Sequence, residues 1–430
     1  MQKPAKPLLN NLPVNIFLIT CTSRWLIEGI LEKSYLEILG FGLALVLQLI
    51  ICHTGMKLKL NKKILVVLIY LFSIVSNVLI KSLSTSIIGK AFLQVLIFTF
   101  AMIWNIEKID KLKFLNLFIK LGLFHSILIL LHYSLKDKFN ALYFPLLNPI
   151  DRSYAQAYYR GGRYFGIHDS PHEVAGIVLF AIIVLFIDYI INDKKKTYKL
   201  VLIAICTFAL LLTGKRGVLV CGIVTIILIV LVLYGSKKQW IRSIVIMLVA
   251  TMAYFGVRYY IMLHATNPLF FRFARLLNSI SDGSIFTINR FKLYSRAVDL
   301  WRKNPIMGIG WRKFKIQSIG IHDSLAHEVN LDYLQWLCEL GIFGFILNII
   351  FVGIMLMRTI HICRSDFRNI VNKDIRMLTL FAIGIQFFTV LYAFFEIPFY
   401  DIYFISIYAL SCSVIVAAPK WARKRIVLIE

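Results

Sequence analysis

The chain has 430 residues, of which 59% are hydrophobic and 16% are charged, and its mean hydropathy is +0.77. A soluble globular protein would carry about 25% charged residues, so the composition excludes a soluble fold and predicts one membrane-embedded domain that comprises residues 1–430. The formal net charge is +26, but the basic residues separate hydrophobic runs and do not form a basic domain, which argues against nucleic acid as a partner.

The hydrophobic runs predict an all-α polytopic membrane protein with about twelve transmembrane helices, because a spanning helix needs roughly 20 apolar residues. In chain order the helices are predicted to begin near Val14, Tyr35, Ile64, Ile87, Phe114, Glu173, Leu200, Gly217, Trp240, Leu331, Met377 and Phe399. The first run carries Arg24 and Glu28 and leads into a second span, so we expect a retained helix and not a cleaved signal peptide. None of the seven cysteines forms a CxxC pair, and we interpret them as small buried apolar side chains.

The charges of the short connections predict the orientation of these helices. Every second connection is basic, and the positive-inside rule assigns the basic connections to the cytoplasmic side. They contain Lys57, Lys59, Lys62 and Lys63; Lys108, Lys111 and Lys113; Lys194, Lys195, Lys196 and Lys199; Lys237, Lys238 and Arg242; and Arg358, Arg364, Arg368, Lys373 and Arg376. We therefore expect a multi-pass protein of the cytoplasmic (inner) membrane.

Two long segments, 135–172 and 261–330, then face outward. Residues 288–301 of the second segment alternate apolar and polar side chains at helical spacing, and Pro305 and Gly308 end this pattern. We expect an amphipathic helix that lies on the outer leaflet. The arginine and histidine motifs described next lie on this outward side, so the active face is predicted to point outward.

The most specific motif occupies residues 290–344. An Arg opens a helix, an aromatic residue follows four positions later, an NPxxGxG turn comes next, and a His precedes a span with an LQ pair and an ExGxxG sequence. The residues in these places are Arg290, Tyr294, Asn304, Pro305, Gly308, Gly310, His327, Leu334, Gln335, Glu339, Gly341 and Gly344. The motif resembles the signature of the O-antigen ligase and polymerase superfamily, which are bacterial membrane glycosyltransferases with a GT-C type of fold. Tyr294 stands where the family most often has Trp, and Glu328 stands where it often has Asn.

Two shorter motifs agree with this resemblance. Arg163 begins an RxxG sequence, and residues 171–175 are similar to the PNxxA sequence of the family, with His172 in the place of the Asn. Residues 213–217 are similar to the TxSRG turn of the family, with Lys215 in the place of the Ser. The resemblance therefore covers residues 163–344.

The resemblance implies transfer of a glycan from a polyprenyl diphosphate, such as undecaprenyl diphosphate, without a metal or another cofactor. Arginine suits a diphosphate because its planar fork makes bidentate bonds to phosphate oxygens and stays charged. Arg216 and Arg290 are therefore predicted to stabilise the leaving group, and His327 is predicted to remove the proton of the acceptor hydroxyl. Further substrate contacts are expected from Arg163, Arg160, Tyr294, Glu328 and Glu339.

Several of these residues fit a second interpretation. Arg216 also fits an ordinary interfacial cation. His168 and His172 have the i,i+4 spacing of helical metal ligands, but Pro171 lies between them and disfavours one regular helix, so no metal site is predicted.

The acidic residues near the outward turns are also open to two interpretations. Glu339 follows the LQ pair inside a span, where we favour structural pairing over catalysis. Glu396, Tyr400 and Asp401 lie in the last outward turn, where they would line either the acceptor path or an interfacial belt.

Two reactions of the superfamily differ only in the acceptor. A polymerase extends another lipid-linked repeat unit in surface polysaccharide assembly, whereas a ligase transfers the chain to the lipid A core of lipopolysaccharide. The Lys-rich, divergent sequence slightly favours a polymerase, for which a chain-length regulator would be a further partner. A transporter or flippase of lipid-linked sugars is the alternative from another class, and the location of the motifs on one side argues against it.

Overall fold

The computed structural model describes residues 7–23, 25–31, 35–52, 62–81, 84–168, 170–192, 196–234, 288–319 and 328–423. In these ranges the regular structure is helical, without a β-strand. The α-helices are α1 (Pro7–Thr22), α2 (Tyr35–Cys52), α3 (Lys62–Lys81), α4 (Thr85–Ile103), α5 (Lys111–Leu135), α6 (Asp137–Tyr143), α7 (Pro149–Arg160), α8 (Pro171–Ile191), α9 (Lys196–Leu212), α10 (Arg216–Tyr234), α11 (Ile288–Lys303), α12 (Phe314–Gln317), α13 (Asp332–His361), α14 (Lys373–Tyr392) and α15 (Ile402–Arg423).

The helices confirm the prediction of an all-α polytopic membrane protein. Within the described ranges, seven helical segments are long and apolar enough to cross a membrane. Every predicted span that falls in these ranges coincides with a helix, and the span predicted near Trp240 lies outside them. The helix α1 begins at Pro7 and not near Val14, and it continues through Pro13 inside the helix.

The two predicted outward segments contain helices of their own. The segment 135–172 includes α6 and α7, which the hydropathy pattern did not predict because they are short and partly polar. The predicted amphipathic helix is present as α11 and extends to Lys303. Its apolar residues Leu293, Ala297 and Leu300 pack against α13 and the segment that precedes it, so at least part of its apolar face contacts protein.

Helices α8, α14 and α15 form the centre of the bundle. Of the 18-residue apolar stretch in each of these helices, 72%, 72% and 78% is buried, whereas only 28% is buried in α10 at the periphery. Phe180 of α8 packs edge-on against Phe388 of α14 and stacks on Tyr403 of α15, with ring centres 5.4 and 5.7 Å away. Close van der Waals packing of this kind stabilises helix association where lipid replaces water.

Helix α13 is interrupted at Gly341, whose φ of 69° and ψ of −173° are not helical. The connection before it, residues 304–313, enters this break, and we call it the NP loop. The amide of Ile342 donates to the carbonyl of Pro305 (2.9 Å), and the amide of Gly310 donates to the carbonyl of Glu339 (2.9 Å). Irregular backbone is tolerated at membrane depth only where protein satisfies its polar groups, and the NP loop does this for α13.

One end of the bundle collects five connections, which we call the loop face: residues 161–168 with 170, 213–215, the NP loop, 328–331 and 393–401. Backbone hydrogen bonds join them directly. The amide of Tyr164 donates to the carbonyl of Leu212 (3.0 Å), and the amide of Asp332 donates to the carbonyl of Ala393 (3.0 Å). The described basic connections around 104–110 and 362–372 lie at the other helix ends, in agreement with the predicted alternation.

Candidate functional site

The turn between α9 and α10 carries two adjacent basic residues at the loop face, and a third basic side chain lies across it. Lys215 precedes α10, and Arg216 is its exposed first residue. The half-buried Arg163 crosses this turn, since its Cγ lies 3.2 Å from where a Cβ on Gly214 would be. The ring of Tyr158 lies between the cations, 5.4 Å from Arg163 Cζ and 6.0 Å from Lys215 Nζ. We call Arg163, Lys215 and Arg216 the cation cluster.

Glu396 of the 393–401 connection balances part of this charge. Its Oε1 accepts a hydrogen bond from Lys215 Nζ at 3.3 Å, and the two side chains are only 17% and 12% exposed. The N-terminus of a helix carries a partial positive charge, so basic residues there are unfavourable unless an anion is near. The Glu396 carboxylate supplies such an anion for Lys215 at the start of α10.

A second polar group lies at the start of α8. His172 Nδ1 is 2.5 Å from Ser170 Oγ, and His172 Nε2 is 3.1 Å from Asp401 Oδ2. Asp401 also caps the N-terminus of α15, because its Oδ1 accepts hydrogen bonds from the amides of Tyr403 (2.8 Å) and Phe404 (3.1 Å). We call Ser170, His172 and Asp401 the histidine array.

The histidine array also bears on the question of a metal. His172, Glu173 and Asp401 each offer a ligand atom, and these atoms lie within 4.8 Å of one another. Both nitrogens of His172 and both oxygens of Asp401 already take part in hydrogen bonds, so these side chains have partners without an ion. His168, which the i,i+4 spacing related to His172, is not a member of this group. His168 is buried beside Glu173, with its Nδ1 3.9 Å from the carboxylate.

Glu339 holds the NP loop against α13. This fully buried carboxylate accepts hydrogen bonds from the amides of Arg312 (2.7 Å) and Phe314 (3.0 Å). The amides give hydrogen bonds to carboxyl oxygens that burial inside a span would otherwise leave without partners. The structural pairing that the sequence favoured for Glu339 is therefore present. Glu328 belongs to the same network, because its Oε2 accepts a hydrogen bond from Gln335 Nε2 at 2.7 Å.

The other predicted site residues are placed as follows. Arg160 is exposed at the end of α7, and Tyr294 is half-buried on α11 beside the apolar residues that contact α13. Arg290 has a helical backbone, and its side chain lies outside the described residues, as does the whole of His327. The meeting of His327 and Arg290 with Arg216 therefore stays a prediction, whereas Arg163 lies against Gly214, two residues before Arg216.

Three residues of this region were not predicted from the sequence. Asn77 of α3 anchors the NP loop: its Nδ2 donates to the carbonyl of Met307 (2.8 Å) and its Oδ1 accepts from the amide of Trp311 (2.8 Å). Arg312 donates to the carbonyl of Tyr400 and lies over the rings of Trp311 and Tyr400. Lys215 joins the cation cluster. An amide side chain within an apolar run, as at Asn77, is the signal that could have been used.

These features define a polytopic membrane protein whose broken helix and loop face hold a cationic site. Residues 200–349 match the family model described as O-antigen ligase, a range that includes the turn before α10, the NP loop and the break in α13. This match supports the O-antigen ligase and polymerase superfamily that the motifs predicted. No curated protein sequence matches the chain.

Proposed function

We propose that this protein transfers a glycan from a polyprenyl diphosphate to an acceptor sugar at the outer face of the cytoplasmic membrane. The observation that carries the proposal is the cation cluster, in which Lys215 and Arg216 lie inside the segment that matches the O-antigen ligase family and Arg163 precedes it. The acceptor hydroxyl attacks the anomeric carbon while the bond to the diphosphate oxygen breaks. The single displacement inverts the anomeric centre and releases the polyprenyl diphosphate.

The leaving group explains why the site needs several cations. Negative charge grows on the diphosphate as the glycosidic bond breaks, so cations fixed beforehand stabilise the transition state more than the ground state. Arg163 and Arg216 supply planar forks for phosphate oxygens, and Lys215 supplies a point charge. The N-terminus of α10 adds a partial positive charge at the same place, since this helix of 19 residues begins at Arg216.

The acceptor hydroxyl must also lose a proton. The resemblance to the superfamily assigns this step to His327, and Arg290 to the diphosphate. Since the cations supply the charge that a metal would otherwise supply to the diphosphate, we expect the transfer to proceed in a chelator. The acceptor decides between the two reactions of the superfamily, and we favour a lipid-linked repeat unit, as for a polymerase, over lipid A core, as for a ligase.

Reconstitution of the purified full chain in liposomes tests this function. We would add lipid-linked repeat units alone and follow the products by gel electrophoresis and mass spectrometry. A ladder of longer lipid-linked glycans would support a polymerase, and products that appear only after addition of lipid A core would support a ligase. Failure to release polyprenyl diphosphate with either acceptor would overturn the proposal, as would flipping of the lipid-linked sugar without transfer.

A further inference from the structure

The histidine array contains an imidazole that is held at both nitrogens and remains partly accessible. The side chain of His172 is 29% exposed, whereas that of its partner Asp401 is 5% exposed. We propose that His172, acting through Ser170, accepts the proton of the acceptor hydroxyl in place of His327, and that Asp401 positions it. This inference rests on the proposed function and adds a residue that the resemblance to the superfamily does not name, since His172 stands where the family pattern has Asn.

The hydrogen bonds of Asp401 determine which nitrogen of His172 carries the proton. Oδ1 of Asp401 accepts from two amides at the start of α15, so the carboxylate is held with Oδ2 toward His172 Nε2 at 3.1 Å. A carboxylate oxygen can only accept a hydrogen bond from a neutral imidazole, so Nε2 carries the hydrogen. Nδ1 is then left with its lone pair, which is the form that a general base needs.

Ser170 supplies the contact on the other side of the imidazole. It occupies the N-cap position of α8, where a serine oxygen usually accepts a hydrogen bond from a helix amide, but its side chain makes no such bond. Ser170 Oγ lies instead 2.5 Å from His172 Nδ1. Because Nδ1 accepts, the hydroxyl of Ser170 donates to it, and the Oγ lone pairs remain available to accept a proton.

The histidine array is joined to the cation cluster through one connection. Residues 393–401 carry Glu396, which binds Lys215, and Asp401, which binds His172. The amide of Phe399 in the same connection donates to Asp332 Oδ2 at 3.0 Å, which ties it to the start of α13. The groups that hold the donor and the proposed proton acceptor are therefore fixed to the same backbone segment.

The proposed step conserves all atoms and charges. The acceptor hydroxyl gives its proton to Ser170 Oγ as Ser170 gives its own proton to His172 Nδ1. The acceptor oxygen forms its bond to the anomeric carbon, and the electron pair of the broken bond leaves with the diphosphate. His172 becomes an imidazolium, which the adjacent Asp401 carboxylate stabilises, and it later returns the proton to water.

Other titratable groups surround the histidine array and belong to its electrostatics. Glu173 follows His172 in α8, and His168 of the 161–168 connection lies beside Glu173. The remaining neighbours are His125 of α5, whose ring packs on His168, together with Cys21 of α1, Tyr403 of α15 and Glu37 of α2. The test therefore compares substitutions within the array and not pH alone.

The experiment measures transfer by the reconstituted full chain as a function of pH, for His172→Asn, Asp401→Asn and Ser170→Ala. We expect His172→Asn to lower kcat roughly 100-fold or more, with little change in the KM for the lipid-linked donor. Added imidazole should restore part of the rate. In Asp401→Asn the amide oxygen can keep the cap of α15, which turns the NH₂ group toward Nε2 and favours the wrong tautomer, so kcat should fall and the pH profile should change.

Matched substitutions at the other helix ends provide controls. His361→Asn changes an exposed histidine, and Asp110→Asn changes the N-cap of α5, whose side chain accepts from the amide of Lys113. Both should keep the wild-type rate and pH profile, and melting temperatures will show that every variant is folded.

The outcomes separate this inference from the proposed function. If the wild type transfers no glycan, the proposed function fails. If the wild type is active and His172→Asn has the same kcat and pH profile, while His327→Asn removes the pH dependence, the assignment of His172 is wrong. A folded but inactive His172→Asn that imidazole does not rescue would also count against it. So would a stoichiometric divalent ion that is present in the wild type and lost in this variant, because it would make His172 a metal ligand.

Discussion

Gly308 and Gly341 are packed backbone against backbone at the point where the NP loop enters helix α13. A Cβ on Gly308 would lie 2.3 Å from the carbonyl oxygen of Glu339, and one on Gly341 would lie 2.2 Å from the carbonyl oxygen of Ile306. Both glycines have φ values near +65°, which side chains disfavour. The two glycines of the sequence motif are thus one contact, and the contact gives the broken helix its shape.

Substitution of either glycine by alanine should destabilise the protein. The added methyl group meets backbone atoms that cannot move aside, and the positive φ adds strain, so we expect each variant to lose at least about 1–3 kcal/mol of unfolding free energy. Thermal unfolding in detergent measures the loss. Gly353→Ala in the same helix is the control, because a Cβ there would have nothing within 4 Å. Equal melting temperatures for all three variants would contradict the described contact.

Asn77→Ala should loosen the NP loop without removing any residue from it. The substitution leaves the amide of Trp311 and the carbonyl of Met307 without their buried partner, which should cost about 1–3 kcal/mol. Denaturation and limited proteolysis would show lower stability and faster cleavage within residues 304–313. The exposed Asn369→Ala serves as the control. If Asn77→Ala cleaves no faster than the control, Asn77 does not anchor the loop.

Arg216→Ala should slow transfer from the lipid-linked donor. Loss of one preorganised cation at the leaving group should lower kcat/KM by roughly 100-fold to 1,000-fold, whereas Arg216→Lys should lose less because it keeps the charge but not the fork. Initial rates in liposomes measure both effects. Arg302→Ala, whose side chain is 72% exposed on α11, should retain the wild-type rate. A wild-type rate for Arg216→Ala would leave this residue as an ordinary interfacial cation.

The ion pair between Lys215 and Glu396 should show coupling in a double-mutant cycle. Lys215→Met or Glu396→Gln alone leaves the charge of the other, mostly buried side chain without this ion pair. The double substitution should therefore destabilise the protein by roughly 0.5–3 kcal/mol less than the sum of the two single losses. Unfolding free energies give the coupling. The more exposed pair of Lys113 and Asp110, 3.5 Å apart, should give a coupling close to zero in the same assay. Indistinguishable couplings would mean that the pair does not fix the turn to the 393–401 connection.

Single cysteines can determine which way the loop face points. Ser153 of α7 and Ser365 after α13 are exposed at opposite helix ends. In a background whose own seven cysteines are replaced by alanine, Ser153→Cys should react with a membrane-impermeant maleimide in intact cells. Ser365→Cys should react only after the cells are permeabilised. The reverse pattern would place the cation cluster on the cytoplasmic side and end the proposal of an outward-facing enzyme.

Hydropathy and the spacing of basic connections were sufficient to predict the helices, because a bilayer requires long apolar runs whatever their neighbours are. The same local information identified the turn before α10 and the NP loop motif, since glycine, proline and arginine act there within a few residues of one another. Short polar helices such as α7 were missed, because a segment outside the membrane has no such requirement.

The sequence by itself determined that this chain is a helical membrane protein and that Arg163, Arg216, Gly308 and Gly341 belong to a motif. Only the tertiary structure decided which of these residues meet. His172 and Asp401 are 229 residues apart, and Asn77 and Trp311 are 234 apart, so no local pattern relates them. Such contacts arise because neighbouring helices pack antiparallel, which brings distant connections to one end of the bundle and joins them by hydrogen bonds.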